Sequence, residues 1–180
     1  RFFEKASKCI GEYHRLRTEH GDKVIANVTL EQVMSGMKGV PSLITDTSKL
    51  DAQEGIRFRG YSIPELREKL PRLRPEGEPL PEGLFYLMLV GELPEREDVL
   101  NISKDWATRA YVPQHVFDVI DAMPRISRPM TQFSAAIISM ATDSIFQKAY
   151  RAGVNKKYYW DTTYEDVMNL IVRLPRIAAY

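Results

Sequence analysis

A chain of 180 residues, with 44% hydrophobic and 27% charged side chains, has the composition of an ordinary globular protein and the length of about one domain. Its 25 basic and 24 acidic residues leave a formal charge of +1, which gives no reason to expect a nucleic acid or an anionic membrane as partner. The longest apolar run, Leu84–Val90, is far shorter than the roughly 20 residues that cross a bilayer, so no membrane insertion is expected.

The first part of the chain predicts two helices. Phe2–His20 repeats apolar residues at helical spacing among charged ones, and Gly21 ends the pattern. Thr29 can cap a short second helix, which should leave as a glycine-flanked loop around Lys38. The single cysteine, Cys9, excludes an internal disulfide and favours a reducing compartment. We expect its thiol in the core or half buried.

A small β element is predicted next. Ser42–Thr47 and Gly55–Arg59 are candidate strands, and the residues between them form a plausible hairpin loop. The second strand alternates apolar and basic residues, as a half-buried strand does. A helix should then run from Ser62 to about Leu70, because Ser62 is a good N-cap and Pro64 suits a first turn.

The remainder is predicted to be helical after a proline-rich loop. Pro71–Gly83 carries four prolines and two glycines and is typical of a surface loop. Predicted helices cover Glu82–Val90, Val99–Arg109, the segments after Pro113 and after Pro129, and a final stretch from Asp161 or Thr162 onward, with a kink at Pro175. The helical pattern persists to Tyr180, which predicts that the polypeptide continues.

The helix after Pro129 has a distinctive face. Phe133, Ile137 and Met140 form its expected core stripe, while Ser134 and Ala135 are among the small residues that keep its profile slim. A slim face suits a tight contact with another helix. That contact is either with a second subunit or within the same chain, and the pattern fits both.

No catalytic constellation is visible in the residues. His14, His20 and His115 lie far apart and accompany no zinc-binding motif, and no nucleophile elbow, P-loop or dinucleotide fingerprint occurs. The acidic pairs Glu97-Asp98 and Glu165-Asp166 are interpreted as solvated or ion-pairing residues on exposed helix faces.

Two basic positions could hold a phosphate-bearing ligand. Lys38 lies in "SGMKGV", where small neighbours let an anion approach the backbone N–H groups as well as the ammonium. Lys156 follows Gly153 and precedes the aromatic run "YYW". The alternative interpretation of each residue is a solvated loop lysine.

Several longer stretches resemble one known family. "GIRFRGYSIPEL", "PLPEGLFYLMLVGELP", "RPMTQFSAAIISM" and "YWDTTYEDVMNLIVRLPRIAAY" closely resemble the N-terminal half of citrate synthase of the eukaryotic mitochondrial type. The likeness runs from about Glu12 to Tyr180, in order and almost without gaps. It implies a mainly helical (all-α) fold with one small β-hairpin near the N-terminus. Residues 1–180 would be the N-terminal part of the large domain, without the small domain and the C-terminal catalytic region.

The resemblance implies an acyltransferase. Citrate synthases condense acetyl-CoA with oxaloacetate and water to citrate and CoA in the tricarboxylic acid cycle, with acetyl-CoA as substrate and no tightly bound cofactor or metal. The expected location is the mitochondrial matrix, with peroxisome or cytoplasm as alternatives. The expected partner is a second copy, through helices near 129–143 and 162–180. The family's catalytic residues lie beyond this chain, so the 180 residues alone should be inactive.

Two alternatives remain beside that function. One is 2-methylcitrate synthase, which takes propionyl-CoA and whose deciding residues are expected beyond Tyr180. The other is a non-enzymatic structural or interaction protein derived from the fold.

The resemblance also suggests roles for the two lysines. The family segment "GGMRGMKG" falls on Ser35–Ser42 and places Lys38 at an arginine that contacts coenzyme A phosphates. A second such arginine, shortly before "YW", falls on Lys156, and the two positions act across the dimer. Both departures from arginine keep the charge but lose the bidentate fork.

Overall fold

The computed structural model describes residues 2–180, and within them the fold is mainly helical, as predicted. The helices are α1 (Phe2–His20), α2 (Leu30–Met34), α3 (Ile63–Lys69), α4 (Pro81–Val90), α5 (Arg96–Arg109), α6 (Gln114–Asp121), α7 (Pro129–Ser139), α8 (Ile145–Arg151) and α9 (Tyr159–Ala178). The strands are β1 (Ser48–Asp51), β2 (Gly55–Phe58) and β3 (Tyr61–Ser62), and single 3-10 turns cover Met140–Asp143 and Lys156–Tyr158. Two compact units divide between Val99 and Leu100. The assignment of the chain to one large domain stays a prediction.

The β element differs from the predicted hairpin. β1, β2 and β3 form an antiparallel sheet in that order, and Ser48 pairs with Phe58. The predicted strand Ser42–Thr47 is wrong, because that segment is irregular and pairing begins only at Ser48. The Asp51 carboxylate accepts hydrogen bonds from the N–H groups of the two residues after Ala52, at 2.8 and 3.0 Å. This Asx turn is shorter than the predicted loop, so that Ser48–Asp51 are strand instead of loop.

The first unit, which ends at Val99, has a small core beside this sheet. Leu66 and Leu70 of the α3 segment and Leu87 of α4 are buried against one another. Half-buried Phe58 and Tyr61 of the sheet cover them. The helix predicted from Ser62 is confirmed, and its core face explains why the short sheet turns directly into it.

The second unit, which begins at Leu100, is built from helices around a separate core. Val116 and Phe117 of α6 pack with Ala136 of α7 and Ile177 of α9. The predicted core stripe of α7 is confirmed, since Met140 is buried and Phe133 and Ile137 pack against the same cluster. The helix ends at Ser139, earlier than predicted, and α8 after it was not predicted. α9 continues through Pro175.

Helix α1 has the predicted bounds, but its cysteine is not buried as predicted. Cys9 is exposed, so its expected place in or near the core is wrong. No residue of α1 is buried among the described residues. Lys5 pairs with Glu92, and the Tyr13 hydroxyl donates to the Ile44 carbonyl at 3.3 Å. None of the helices described over residues 2–180 has both the length and the hydropathy of a membrane span.

The start of α3 yields a testable stability prediction. Ser62 and Glu65 form a capping box, in which the Glu65 carboxylate accepts from the Ser62 N–H at 2.8 Å and from its hydroxyl at 2.7 Å. Ser62→Ala should lower the free energy of unfolding by about 1 kcal/mol, measured by urea denaturation. Ser7→Ala, at an exposed serine inside α1, is the control and should cause no loss.

The capping box also predicts a pH dependence. Hydrogen bonds from the N–H and then the hydroxyl of Ser62 hold the pKa of Glu65 below its ordinary value of 4.5. The contribution of Glu65 to stability is therefore complete above that value and is lost as the pH falls through the lowered pKa. The stability difference between wild type and Glu65→Ala should shrink in acid. A difference that stays constant down to about pH 3 would contradict this assignment.

Candidate functional site

The Lys38 loop begins where α2 ends. Thr29 and Gln32 form a capping box at the start of α2, with backbone-to-side-chain distances of 3.0 and 3.2 Å. After the C-cap Ser35 the backbone enters the left-handed region at Gly36, Met37 and Gly39, with φ of 72°, 64° and 77°. Glycine adopts this region freely, whereas Met37 does so at a cost of roughly 1–2 kcal/mol. The loop is therefore a tightly turned segment rather than an extended linker.

Lys38 lies at the tip of this loop. Its side chain is exposed and forms no ion pair within residues 2–180, and Gln32 donates to its carbonyl at 3.4 Å. The backbone N–H groups of Lys38 and Gly39 have no hydrogen-bond acceptor among residues 2–180. An unpaired ammonium and two backbone N–H groups without acceptors, all in one loop, are groups that can bind an anion. The phosphate-binding role of Lys38 stays a prediction.

Arg59 attaches the chain after Lys38 to helix α4 of the same unit. Its Nε and Nη2 donate to the Met88 carbonyl at 3.2 and 2.6 Å, and its Nη1 lies 2.6 Å from the Asp46 carboxylate. Its own N–H donates to the Thr47 carbonyl at 2.9 Å. The sequence pattern places Arg59 only at the end of a strand and gives no sign of these contacts, because Met88 lies 29 residues away in the chain.

The second predicted lysine lies between α8 and α9. Gly153, with φ of 73°, ends α8, and its N–H and that of Val154 donate back to carbonyls of the helix at 3.1 Å. This is a Schellman ending. Asn155 then caps the 3-10 turn by accepting from the Lys157 N–H at 3.0 Å. Lys156 is exposed and has no ion pair in the part of the chain that the structure describes.

Lys157, next to it, is differently placed. Its ammonium lies 4.8 Å from the centroid of the Tyr158 ring, which is a cation–π geometry. Of the two adjacent lysines, Lys156 is therefore the one whose charge is uncommitted within the described residues. Lys157 offers a matched control for it.

Helices α8 and α9, which flank the Lys156 loop, are joined by Asp166. Its carboxylate accepts from the Ser144 hydroxyl at 2.6 Å and from the N–H groups of Ile145 and Phe146 at 2.8 and 3.1 Å. The Phe146 ring also meets the Tyr159 ring edge-on at 5.1 Å. The interpretation of Asp166 as a solvated or ion-pairing residue is wrong. It is a helix cap supplied from another helix.

The neighbouring Glu165 does form an ion pair, as interpreted. It lies 2.6 Å from Arg109, which also contacts Asp105 at 2.9 Å. The hydrogen bond that Arg109 donates to Glu165 raises the pKa of the guanidinium most. Burial opposes it with a smaller effect, and the hydrogen bond donated to Asp105 raises the pKa further. These carboxylates are thus committed to an arginine and are poorly placed to act as an acid/base pair.

No metal centre is found among the residues from 2 to 180, since no three histidine, cysteine, aspartate or glutamate side chains converge there. His115 contacts the Ser139 carbonyl at 3.2 Å. The second unit contains a cavity of about 260 Å³, whose lining includes Asp143, Asp166 and Arg173. Two carboxylates against one guanidinium make this cavity unsuitable for an anion. The two lysine loops remain the best candidates for ligand binding.

Comparisons with known proteins agree with the resemblance seen in the sequence. The profile of the family described as "Citrate synthase, C-terminal domain" matches residues 36–180. Citrate synthase 4, mitochondrial, of Arabidopsis thaliana is 48% identical over 92% of this chain and 35% of its own length. The mitochondrial citrate synthase of Aspergillus niger and the mitochondrial 2-methylcitrate synthase of Yarrowia lipolytica are each 48% identical over 99% of this chain and 38% of their own length.

A solved structure shares the fold. The citrate synthase of Thermoplasma acidophilum, in a ternary complex with carboxymethyl coenzyme A and oxaloacetate by its description, superposes with a TM-score of 0.60 at 22% identity. The match covers 79% of this chain and 33% of that one. The chain spans a little more than a third of the length of the curated relatives it matches.

The Asp166 cap generates a stability prediction. Asp166→Ala removes an ionised acceptor from three donors and should lower the free energy of unfolding by about 2 kcal/mol. Asp161→Ala, at an exposed aspartate in the first turn of α9, should cost no more than about 0.5 kcal/mol. Urea denaturation of both variants measures the difference. Equal losses in the two variants would show that the cap contributes little.

Proposed function

The chain belongs to the citrate synthase family, and we propose that it is the N-terminal part of a mitochondrial citrate synthase subunit, acting in the matrix. The enzyme would condense acetyl-CoA with oxaloacetate and water to citrate and CoA. The observation that carries the proposal is the 46–48% identity to named mitochondrial citrate synthases over 92–99% of this chain. No residue of the described chain is assigned a chemical step.

Within that function, residues of this chain would bind the coenzyme. Coenzyme A carries a 3′-phosphate and a pyrophosphate, so it presents several negative charges at a distance from its reacting thioester. Lys38 and Lys156 are exposed loop lysines without an ion pair in the described structure, which supports an assignment to these phosphates. We propose that one subunit supplies Lys38 and its partner supplies Lys156 to each coenzyme.

This assignment predicts a specific kinetic effect. Lys38→Ala and Lys156→Ala should each raise the KM for acetyl-CoA about fivefold to tenfold, since a charged hydrogen bond in a wet loop is worth roughly 1 kcal/mol or slightly more. The kcat and the KM for oxaloacetate should stay nearly constant, because the lost contact is equal in ground and transition states. Steady-state kinetics of the full-length enzyme at low salt is the measurement.

Controls separate this effect from a general loss of charge. Lys157→Ala should change the KM less than twofold, and added salt should reduce the effect at the other two lysines. Arginine at Lys38 or Lys156 should bind at least as tightly as lysine, because its planar fork suits phosphate. For whichever lysine meets the 3′-phosphate, the alanine effect should vanish with a dephospho-CoA thioester. Unchanged KM values in both alanine variants would favour the alternative interpretation, in which Lys38 and Lys156 are solvated loop lysines.

A second candidate function is 2-methylcitrate synthesis. It is favoured by the Yarrowia lipolytica relative, whose identity of 48% equals that of the citrate synthases. The ratio of kcat/KM for acetyl-CoA and propionyl-CoA distinguishes the two enzymes. If the full-length protein condensed neither thioester with oxaloacetate, the enzymatic proposal would be replaced by a structural role.

We also propose that α7 and α9 lie in a homodimer interface. Met130, Ser134 and Ile138 recur every four residues on α7, and the two apolar ones are 69% and 73% exposed. This stripe is separate from the core stripe of the same helix, which makes it available to a second subunit.

The interface proposal predicts the effect of a buried charge. Ile138→Glu should shift the full-length protein from dimer toward monomer, because an unpaired carboxylate in a packed helix seam is strongly unfavourable. Sedimentation velocity measures the shift. Lys148→Glu, on the neighbouring helix α8, is the control and should leave the dimer intact. A dimer unaffected by Ile138→Glu would remove this face of α7 from the interface.

A further inference from the structure

We propose that Asp46 and Arg59 form a positioning element for Lys38, which fixes the loop that presents its ammonium to a coenzyme phosphate. The inference rests on the proposed function, because it assigns a role to residues that act through Lys38. Neither residue is proposed to contact the coenzyme.

Arg59 is the fixed half of this element. Its side chain is only 19% exposed, and two of its nitrogens donate to the Met88 carbonyl in the last turn of α4. Carbonyls in the last turn of a helix have no partner within the helix, and the negative end of the helix dipole favours a cation there. With φ of 48°, Arg59 holds a backbone conformation that residues other than glycine rarely adopt. Its guanidinium is therefore held at the end of α4.

Asp46 is the half that belongs to the Lys38 segment. Residues 40–47 form no strand, and among the hydrogen bonds and ion pairs of the described residues three link the stretch from Lys38 to Asp46 to other elements. Gln32 donates to the Lys38 carbonyl at 3.4 Å, and Tyr13 donates to the Ile44 carbonyl at 3.3 Å. Both bonds are long and come from short α2 or from the exposed face of α1. The Asp46 carboxylate lies 2.6 Å from the Arg59 guanidinium, and Arg59 in turn binds the Met88 carbonyl of α4, so this contact links the segment to α4.

The sign of the expected effect separates positioning from charge. A carboxylate near an anion site repels the anion, so removal of Asp46 would tighten coenzyme binding if only its charge mattered. If the carboxylate fixes the loop, its removal weakens binding, because the loop must then be ordered when the ligand binds. The two interpretations predict opposite changes for the same variant.

The test uses Asp46→Ala in the full-length enzyme. The KM for acetyl-CoA should rise about twofold to fivefold, a modest change because the Asp46 side chain is 74% exposed and surface ion pairs are weak. The kcat and the KM for oxaloacetate should not change. Asp46→Asn keeps an acceptor for Arg59 and should recover part of the loss. Glu54→Ala breaks the exposed ion pair with Arg57 on the adjacent hairpin and should leave the KM unchanged.

A double variant tests whether Asp46 acts through Lys38. Once Lys38→Ala has removed the ammonium, adding Asp46→Ala should raise the KM no further, whereas independent effects would multiply. Hydrogen exchange of residues 39–47 supplies a readout without substrate, and Asp46→Ala should accelerate it. Tighter or unchanged acetyl-CoA binding in Asp46→Ala, multiplying effects in the double variant, or unchanged exchange would each overturn the inference.

The same measurements separate this inference from the proposed role of Lys38. If Lys38→Ala alone leaves the KM unchanged, the phosphate contact fails and the positioning role fails with it, even where exchange is accelerated. If Lys38→Ala raises the KM and Asp46→Ala does not, only the inference is overturned.

Discussion

Charged side chains that satisfy the ends of helices from a distance are the interactions on which the two candidate loops depend. A helix leaves N–H groups at its start and carbonyls at its end without partners in the helix itself. At the end of α4 the Met88 carbonyl receives the Arg59 guanidinium, and at the start of α8 two N–H groups receive the Asp166 carboxylate. Each charge has the sign that the local helix dipole favours. The Asp166 contacts join the two helices that flank the Lys156 loop, and Arg59 also pairs with Asp46 in the segment after Lys38.

These anchors bear on how a nearly neutral chain would present the proposed local anion site. With a net charge of +1, the molecule has no general field that draws in a polyanion. Attraction must come from single cations that remain unpaired at defined positions. Many basic side chains in the described structure are already committed, such as Arg109 to two carboxylates and Lys157 to an aromatic ring. Lys38 and Lys156 are not committed in this way. Each follows a helix end at which a glycine adopts the left-handed backbone conformation.

The sequence predicted those features that depend on neighbours a few residues apart. The N-caps at Thr29 and Ser62, the core stripe of α7 and the exposed lysine loops all follow from local pattern. The predicted strand Ser42–Thr47 is misplaced because the Asx turn at Asp51 sets the pairing register of β1 and β2. The weak strand pattern of Ser42–Thr47 does not indicate this side-chain hydrogen bond. The roles of Arg59 and Asp166 were missed because their partners lie 20 or more residues away. Such contacts leave no periodic signal.

Anchoring bears directly on the use of lysine instead of arginine at both positions. A lysine ammonium is a point charge on a flexible stem, so it cannot gain the paired hydrogen bonds that orient an arginine on phosphate. The contribution of each lysine to the binding free energy then depends strongly on the conformational entropy that its loop loses when the ligand binds. The left-handed turn at Met37 and the Schellman ending before Asn155 restrict that freedom before any ligand arrives. Under the proposed function, such restricted loops would compensate in part for a less specific cation, and the anchors at Arg59 and Asp166 would contribute to ligand recognition without touching the ligand.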